Sequence, residues 1–313
     1  MPPPVAAPLP AGAPRAGTRA PRARRPRQPW VPVVFTGATV VLFLLFFVWP
    51  GALGVFYSFT DYRGVGSYDF VGLENYSELL ADEDFYSSLG RTFLYAALSV
   101  PLHYVVALAI AVLLVNRHAR GGTAAKFVFF VPWLVSPIVA GVIWRWLFGE
   151  NFGFVNFVIT SLGGGAVPWS SDGDLALAVV LLASTWGGSA FNMLLFVAAI
   201  KNVPTSYYEA AQLDGAGGWQ RFRHITLPSI APTSVLVVLL STIGSMKEFA
   251  MVQALNGGGP GTENRLIVQY IYQTGFERAE VGYASAVSMV LMVILLVIAL
   301  LQLWVEKRRN RDA

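Results

Sequence analysis

Six apolar stretches, each long enough to cross a lipid bilayer, constrain this chain more than any other feature. A membrane-crossing helix needs roughly 20 mostly apolar residues. The stretches run approximately from Val33 to Phe56, Thr92 to Val115, Phe127 to Phe148, Leu175 to Ile200, Ile230 to Val252 and Ala284 to Val305. Pro101, Pro132 and Pro137 fall inside the second and third. Membrane helices tolerate such prolines because neighbouring helices satisfy the freed backbone groups. The expected fold is therefore an all-α polytopic bundle of six transmembrane helices. Composition agrees: 55% of the 313 residues are hydrophobic and 13% are charged, more apolar than a typical soluble domain.

Lysine and arginine near span ends are retained in the cytoplasm, and their placement predicts sidedness. Arg15, Arg19, Arg22, Arg24, Arg25 and Arg27 precede the first span, and Arg117, Arg120 and Lys126 follow the second. Lys201, Arg221 and Arg223 follow the fourth, and Lys307, Arg308, Arg309 and Arg311 follow the sixth. Both termini are expected in the cytoplasm. The alternate loops carry the acids: Asp61, Asp69, Glu74, Glu78, Asp82, Glu83 and Asp84, then Glu150, Asp172 and Asp174, then Glu263, Glu277 and Glu280. Arg63, Arg91, Arg265 and Arg278 run against the trend. Trp30, Tyr57, Trp144, Trp146 and Trp304 stand near span ends, where aromatic rings anchor at the headgroups.

Three segments are expected: a disordered basic tail over residues 1–30, a membrane domain over 31–306, and a short basic tail over 307–313. The first is rich in Pro and Ala without hydrophobic period. The apolar run after it is long for a secretion signal and lacks a clear cleavage site. The net charge of +4 does not point to nucleic acid, because the basic residues lie in blocks between apolar runs. The absence of cysteine excludes disulfides, thiolate nucleophiles and Cys-ligated metals.

The segment Val203 to Pro228, VPTSYYEAAQLDGAGGWQRFRHITLP, falls on the expected cytoplasmic side and reads as two short helices around a glycine. Ser206 and Glu209 have the spacing of a capping box. Gly215 can take positive φ and end the first helix. Trp219, Phe222 and Ile225 recur at spacing three, a single apolar stripe. Pro228 is expected to stop the second helix before the fifth span.

These residues resemble the signature of the membrane subunits of bacterial ABC importers: Glu-Ala-Ala, three residues, Gly, then Ile-x-Leu-Pro. Here these are Glu209, Ala210, Ala211, Gly215, Ile225, Leu227 and Pro228, and Asp214 and Ala216 complete an EAAQLDGA form typical of the carbohydrate-uptake branch, the maltose and multiple-sugar type. FVGLENY (Phe70 to Tyr76), PWLVSP (Pro132 to Pro137), WRWLFGENFGFVN (Trp144 to Asn156) and LNGGGPGTEN (Leu255 to Asn264) are similar to further segments of that family, in order along the chain. The resemblance implies a translocation subunit in a bacterial inner membrane. The first short helix would enter a cleft on an ATPase. Implied partners are a second, similar permease, an ATPase dimer, an extracytoplasmic solute-binding protein, a sugar and the bilayer, with no nucleic acid. ATP and magnesium would be bound by the ATPase, with no cofactor in this chain.

Polar groups inside spans are costly and usually face a bundle interior or a water-filled cavity. In the fourth span Ser184, Thr185, Trp186, Gly187, Gly188, Ser189 and Asn192 interrupt an aliphatic run; in the fifth, Ser241, Thr242, Ser245, Lys247 and Glu248 do so. Hydroxyls and amides beside aromatic faces suit a neutral, hydroxyl-rich sugar. By resemblance the solute path is assigned to Ser184, Gly188, Phe191, Asn192, Ser241, Ser245 and Glu248. Gly and Ser also serve close helix packing, and Lys247 and Glu248 could instead meet the outer interface. Arg145 is expected at that interface, and the isolated His103 in the second span to be a hydrogen-bonded structural residue.

No G-x-x-x-x-G-K-[ST] loop, H-E-x-x-H or nucleophile elbow occurs, so nucleotide must bind elsewhere. Glycerol-phosphate-type solutes are an alternative cargo. An ion-coupled secondary transporter would want paired broken helices and a midplane ion site, and the sequence offers no convincing repeat. A membrane-embedded signalling or assembly factor is the third reading.

Overall fold

The computed structural model describes residues 30–115 and 122–309. The arginines expected before the first span, together with Arg117, Arg120 and Arg311, lie outside the described residues, as do most of both terminal tails. The described residues are helical, with no strand among them beyond an isolated bridge between Thr60 and Phe70.

The chain divides into two compact units at Gly51. The first holds most of helix α1, Pro32–Tyr57, interrupted by a π turn at Leu44–Val48. The second holds all remaining elements. Its long helices are α3 (Glu83–Val115), α7 (Gly173–Lys201) and α13 (Val281–Arg309), and α2 (Glu74–Ala81) precedes α3. With α1, four continuous helices are long and apolar enough to span a membrane, or up to six if each of two bent pairs is one span.

The bent pairs correct the expected third and fifth spans. The third is not one helix: α4 (Gly122–Leu134) and α5 (Pro137–Leu147) meet at 97° around Ser136. Pro137 has no amide to donate and holds Ser136 extended, so the helix restarts there. Pro101, by contrast, sits within unbroken α3. After a short α6 (Phe154–Ser161) and α7, the chain forms α8 (Thr205–Leu213) and α9 (Gly218–Ser229). Helix α9 then turns by 70° into α10, Ala231–Met246. The fifth span ends at Met246, earlier than expected, and Lys247–Phe249 link it to the short α11, Ala250–Leu255. Helix α12 (Ile267–Tyr272) and a π turn at Gln273–Glu277 lead to α13.

Bilayer lipid is as apolar as leucine, so these helices are held by close packing and hydrogen bonds rather than by exclusion from water. Small residues admit the approach of α3 to α7: Ala107 and Ala111 on one, Ala183 and Ala190 on the other, all buried. Met193 and Phe196 fill the space between them and Val237 of α10. Polar side chains join the same helices. Ser99 and Ser245 lie 2.8 Å apart, Tyr104 and Ser234 3.0 Å, Asn192 donates to Ser241 at 2.9 Å, and Gln302 donates to Thr242 at 3.0 Å. Each such bond contributes about 0.6 kcal/mol on average in membrane helices.

At the end of the bundle opposite α8, single asparagines clamp the loops. Asn75 donates to the carbonyls of Ser58 and Thr60, Asn156 to those of Glu150 and Val167, and Asn264 to those of Gly173 and Gly259. Each lies in one of the loop segments singled out by resemblance, which gives those segments a structural function. Arg265, counted against the charge trend, is 4% exposed and pairs with Asp84 at 2.7 Å. Its Nε donates to Ser88, and its guanidinium lies over the Tyr270 ring. The hydroxyls of Tyr270 and Tyr283 both donate to Asp82, joining α12, α13 and the start of α3.

Candidate functional site: a cavity and an exposed elbow

The breaks in the third and fifth spans open a cavity of about 620 Å³ between α3, α4, α5, α7 and α10. All seven residues assigned to the solute path, Ser184, Gly188, Phe191, Asn192, Ser241, Ser245 and Glu248, line it. They come from two helices that run past each other, and helical periodicity turns each set toward the same space. On α7, positions 184, 188 and 191 follow spacings of four and three; on α10 and its end, 241, 245 and 248 do the same. Asn192 reaches the cavity edge and is held by Ser241.

The open question over Glu248 and Lys247 is decided by the early end of α10. Phe249, at φ −146° and ψ −61°, redirects the chain. The Glu248 carboxyl accepts from the Phe249 and Met251 amides at 3.1 and 3.3 Å, capping α11 at the cavity wall. Lys247 is exposed and borders an apolar groove with Ile271, Leu291 and Leu295. The apolar half of the cavity comes from Trp133, stacked on Phe191 at 4.9 Å and 26°, with Pro132, Pro137 and Leu240. Trp133 was missed as a cavity residue: the sequence placed it only within PWLVSP, and its stacking on Phe191 depends on how α4 meets α7.

Arg145, Trp144 and Trp146, read as interfacial, border a separate cleft of about 890 Å³ with Phe148, Glu150 and Trp169. There Glu150 accepts from the Ser170 and Ser171 amides and hydroxyls, beginning with Ser170, and these bonds hold its carboxyl below the usual range. His103 also lines the first cavity, with its Nε2 buried and without a hydrogen-bond partner among the described residues.

At the other end of α7, α8 ends on Gly215 at φ +80°. The Ala216 amide donates to Ala211 at 2.8 Å and the Gly215 amide to Gln212 at 3.1 Å, the paired bonds of a Schellman ending. The expected capping box is not formed. Helix α8 already starts at Thr205 after extended Pro204, which puts Ser206 inside the first turn and Glu209 beyond the reach such a box requires. Pro228 also fails to stop its helix. A π turn at Phe222–Thr226, closed by the Leu227 amide on the Phe222 carbonyl, shifts the register ahead of the proline, and the break comes at Ile230. The same turn splits the apolar stripe: Phe222 packs on the core, while Trp219 is 70% exposed. Glu209, Ala210, Asp214 and Gly215 are exposed, and Ala211, Ala216, Ile225 and Leu227 are half-buried. Ala211, Asp214, Gly215, Ala216 and Ile225 border a shallow cleft of about 380 Å³. Pro228 is exposed on α9, and Leu227 packs toward the core.

A polytopic helical protein with broken spans around a cavity, and an exposed helical elbow between two of the cavity's walls, belongs to the class of membrane permeases. Residues 83–311 match the family described as binding-protein-dependent transport system inner membrane component, and the chain belongs to that family. It is 32% identical over 283 residues to the sn-glycerol-3-phosphate transport system permease protein UgpA of Agrobacterium fabrum, covering 89% of this chain and 95% of the relative. It is 34% identical over 274 residues to the arabinooligosaccharides transport system permease protein AraP of Bacillus subtilis, covering 87% of each. Its fold is that of a chain in the crystal structure of a bacterial ABC transporter involved in the import of the acidic polysaccharide alginate. The TM-score is 0.78 at 23% identity, over 89% of this chain and 96% of that one.

Proposed function

We propose that this chain is the sugar-translocating permease subunit of an ATP-driven importer in a bacterial inner membrane, with both termini and the α8 elbow on the cytoplasmic face. The observation that carries this reading is the continuity of α8 and α9 with both polar walls of the cavity. Helix α7 enters the elbow at one side and α10 leaves it at the other. A push on Glu209 to Gly215 therefore displaces both walls, as alternating access requires. Helix α8 is a preformed ligand: its glycine ending is already closed, so docking orders little new backbone. Exposed Tyr207, Leu213 and Trp219 supply apolar area, and Glu209 and Asp214 supply polar contacts for an ATPase cleft.

The ATPase dimer binds ATP and magnesium, a second permease completes the path, and a solute-binding protein docks on the opposite end. This chain is a translocation subunit rather than an enzyme, with its membrane domain over 31–306 between basic tails at 1–30 and 307–313. A sugar is favoured over glycerol phosphate because the cavity lining includes the Glu248 carboxyl and neither Lys nor Arg. It offers hydroxyls, an amide and a stacked Trp133–Phe191 pair, but no cation for a phosphate. The test is uptake of neutral oligosaccharides and of sn-glycerol 3-phosphate into proteoliposomes carrying the assembled complex. Uptake that requires ATP and the ATPase supports the reading. Uptake that persists without the ATPase and collapses with the proton gradient establishes an ion-coupled carrier instead.

A further inference from the structure

The cleft of about 890 Å³ at Arg145 lies in series with the cavity along α5, α7 and α11. Ala140 and Met251 line the cavity, while Val142 and Gln253, two residues further on, line the cleft. Between them α5 touches α11: an added Cβ on Gly141 would meet the Met251 carbonyl oxygen at 2.5 Å and the Ala254 Cβ at 2.8 Å. The two spaces are therefore separate. Bonds within the chain already fix the walls of the cleft. Asn156 holds the Glu150 carbonyl and accepts from the Trp169 indole at 2.9 Å. Asn256 and Asn264 both donate to the Gly259 carbonyl, and the Glu150 carboxyl is engaged by Ser170 and Ser171.

Two sets of donors are left over. Among the described residues the exposed Arg145 guanidinium forms no ion pair. The second set follows from a chain of bonds. The Leu266 amide donates to Gln269 Oε1 at 3.1 Å, and Gln269 Nε2 donates to Gln253 Oε1 at 2.8 Å. A backbone amide only donates, so this order leaves the Nε2 hydrogens of half-buried Gln253 for the cleft. Trp146 is 69% exposed and Phe152 91%, and both border the same space, so a solute can reach their flat faces. Donors beside open aromatic faces suit a sugar ring, whose oxygens accept and whose apolar face stacks. The Glu150 carboxylate on the same wall repels an anion.

We infer that this cleft is a second binding site for a neutral oligosaccharide, which stacks on Trp146 and accepts hydrogen bonds from Arg145 and Gln253 on the far side of the Gly141 contact from the cavity. The inference rests on the sugar reading above. It is tested on the complex assembled with its permease and ATPase partners, without binding protein, by equilibrium titration with arabinotriose, maltotriose and sn-glycerol 3-phosphate. For a neutral sugar that the wild type binds, two classes of site are expected. Trp146→Leu removes the flat face and should raise the dissociation constant of one class about tenfold, whereas Trp146→Phe keeps a face and should stay within about threefold. Arg145→Met should weaken that same class, and Phe191→Ala the other. Both cleft residues are exposed, so melting temperatures should be unchanged. Should Trp146→Leu fail to assemble, Arg145→Met carries the comparison. A single class of site that Phe191→Ala weakens and the cleft variants leave alone overturns the inference by itself. So does unchanged sugar binding in cleft variants that have lost stimulation by the binding protein, which makes the cleft a protein-docking surface. Binding of the phosphate only, or of none of the probes, defeats the sugar reading on which it rests.

Discussion

Replacement of Gly215 separates a docking elbow that must hold its shape from a loop that merely carries a motif. The residue sits at φ +80°, and an added Cβ would meet nothing within 4 Å. The penalty for a side chain is thus conformational rather than steric. Alanine in the left-handed region costs about 1–2 kcal/mol, which shifts the elbow equilibrium by roughly five- to thirtyfold. Asparagine, which visits that region with less penalty, costs less. Proline is fixed near φ −65° and lacks the amide that donates to Gln212, so the glycine ending of α8 is lost. The expected order of coupling is Gly, then Asn, then Ala, then Pro. The assay is substrate-stimulated ATP hydrolysis by the assembled complex in proteoliposomes, normalised to inserted protein. Gly215→Ala should lose several-fold and Gly215→Pro should lose stimulation while still inserting. Normal stimulation in Gly215→Pro, or equal loss in Asn and Ala variants, would refute the reasoning.

Three further outcomes follow from the bundle. Partial burial raises the Asp82 carboxyl, but bonds from Tyr270, Tyr283 and the Phe85 and Asp84 amides outweigh it and hold the group below its ordinary 3.8. The folded pKa is the lower one, so its stabilisation is complete above 3.8 and is lost as pH falls through the folded value. Melting of the detergent-solubilised protein should fall over that acid window, and Asp82→Asn should flatten the dependence. Because Arg265 is 4% exposed and Asp84 52%, Asp84→Ala strands a buried cation whereas Arg265→Met leaves an acid facing water. The first should destabilise more, by about 1–3 kcal/mol, and the reverse order of melting temperatures would count against a buried pair. Asn192→Ala and Ser241→Ala should show coupling of about 0.6 kcal/mol, and at most about 1.7, in a double-mutant cycle of unfolding. Additive effects would mean that the bond at 2.9 Å contributes nothing.

The apolar stretches were legible because bilayer thickness imposes a length that composition alone reveals; four are continuous helices long enough to span and two are bent pairs. The cavity-lining residues were legible for a related reason. A polar group is so costly at membrane depth that Ser184, Asn192, Ser241 and Ser245 announce a cavity or a close crossing from sequence alone. The elbow was readable through Gly215, since few residues other than glycine accept its backbone conformation. Its start was misread, because whether Pro204 or Ser206 precedes the first turn depends on the angle at which α7 delivers the chain.

What the tertiary structure alone decided is where helices break and which polar atoms find partners. Pro101 and Pro137 are the same residue in similar apolar runs, yet one lies in unbroken α3 and the other begins a new helix at 97°. Proline restricts the residue before it alike in both runs, so the residue alone does not tell a continuous helix from a restarted one. His103 illustrates the same limit. Only the packing of α7 against α3, which sets Gly188 against the ring, leaves its Nε2 buried without a partner among the described residues. Local sequence fixes which groups must be satisfied; the packing of distant helices determines which of them remain available to bind.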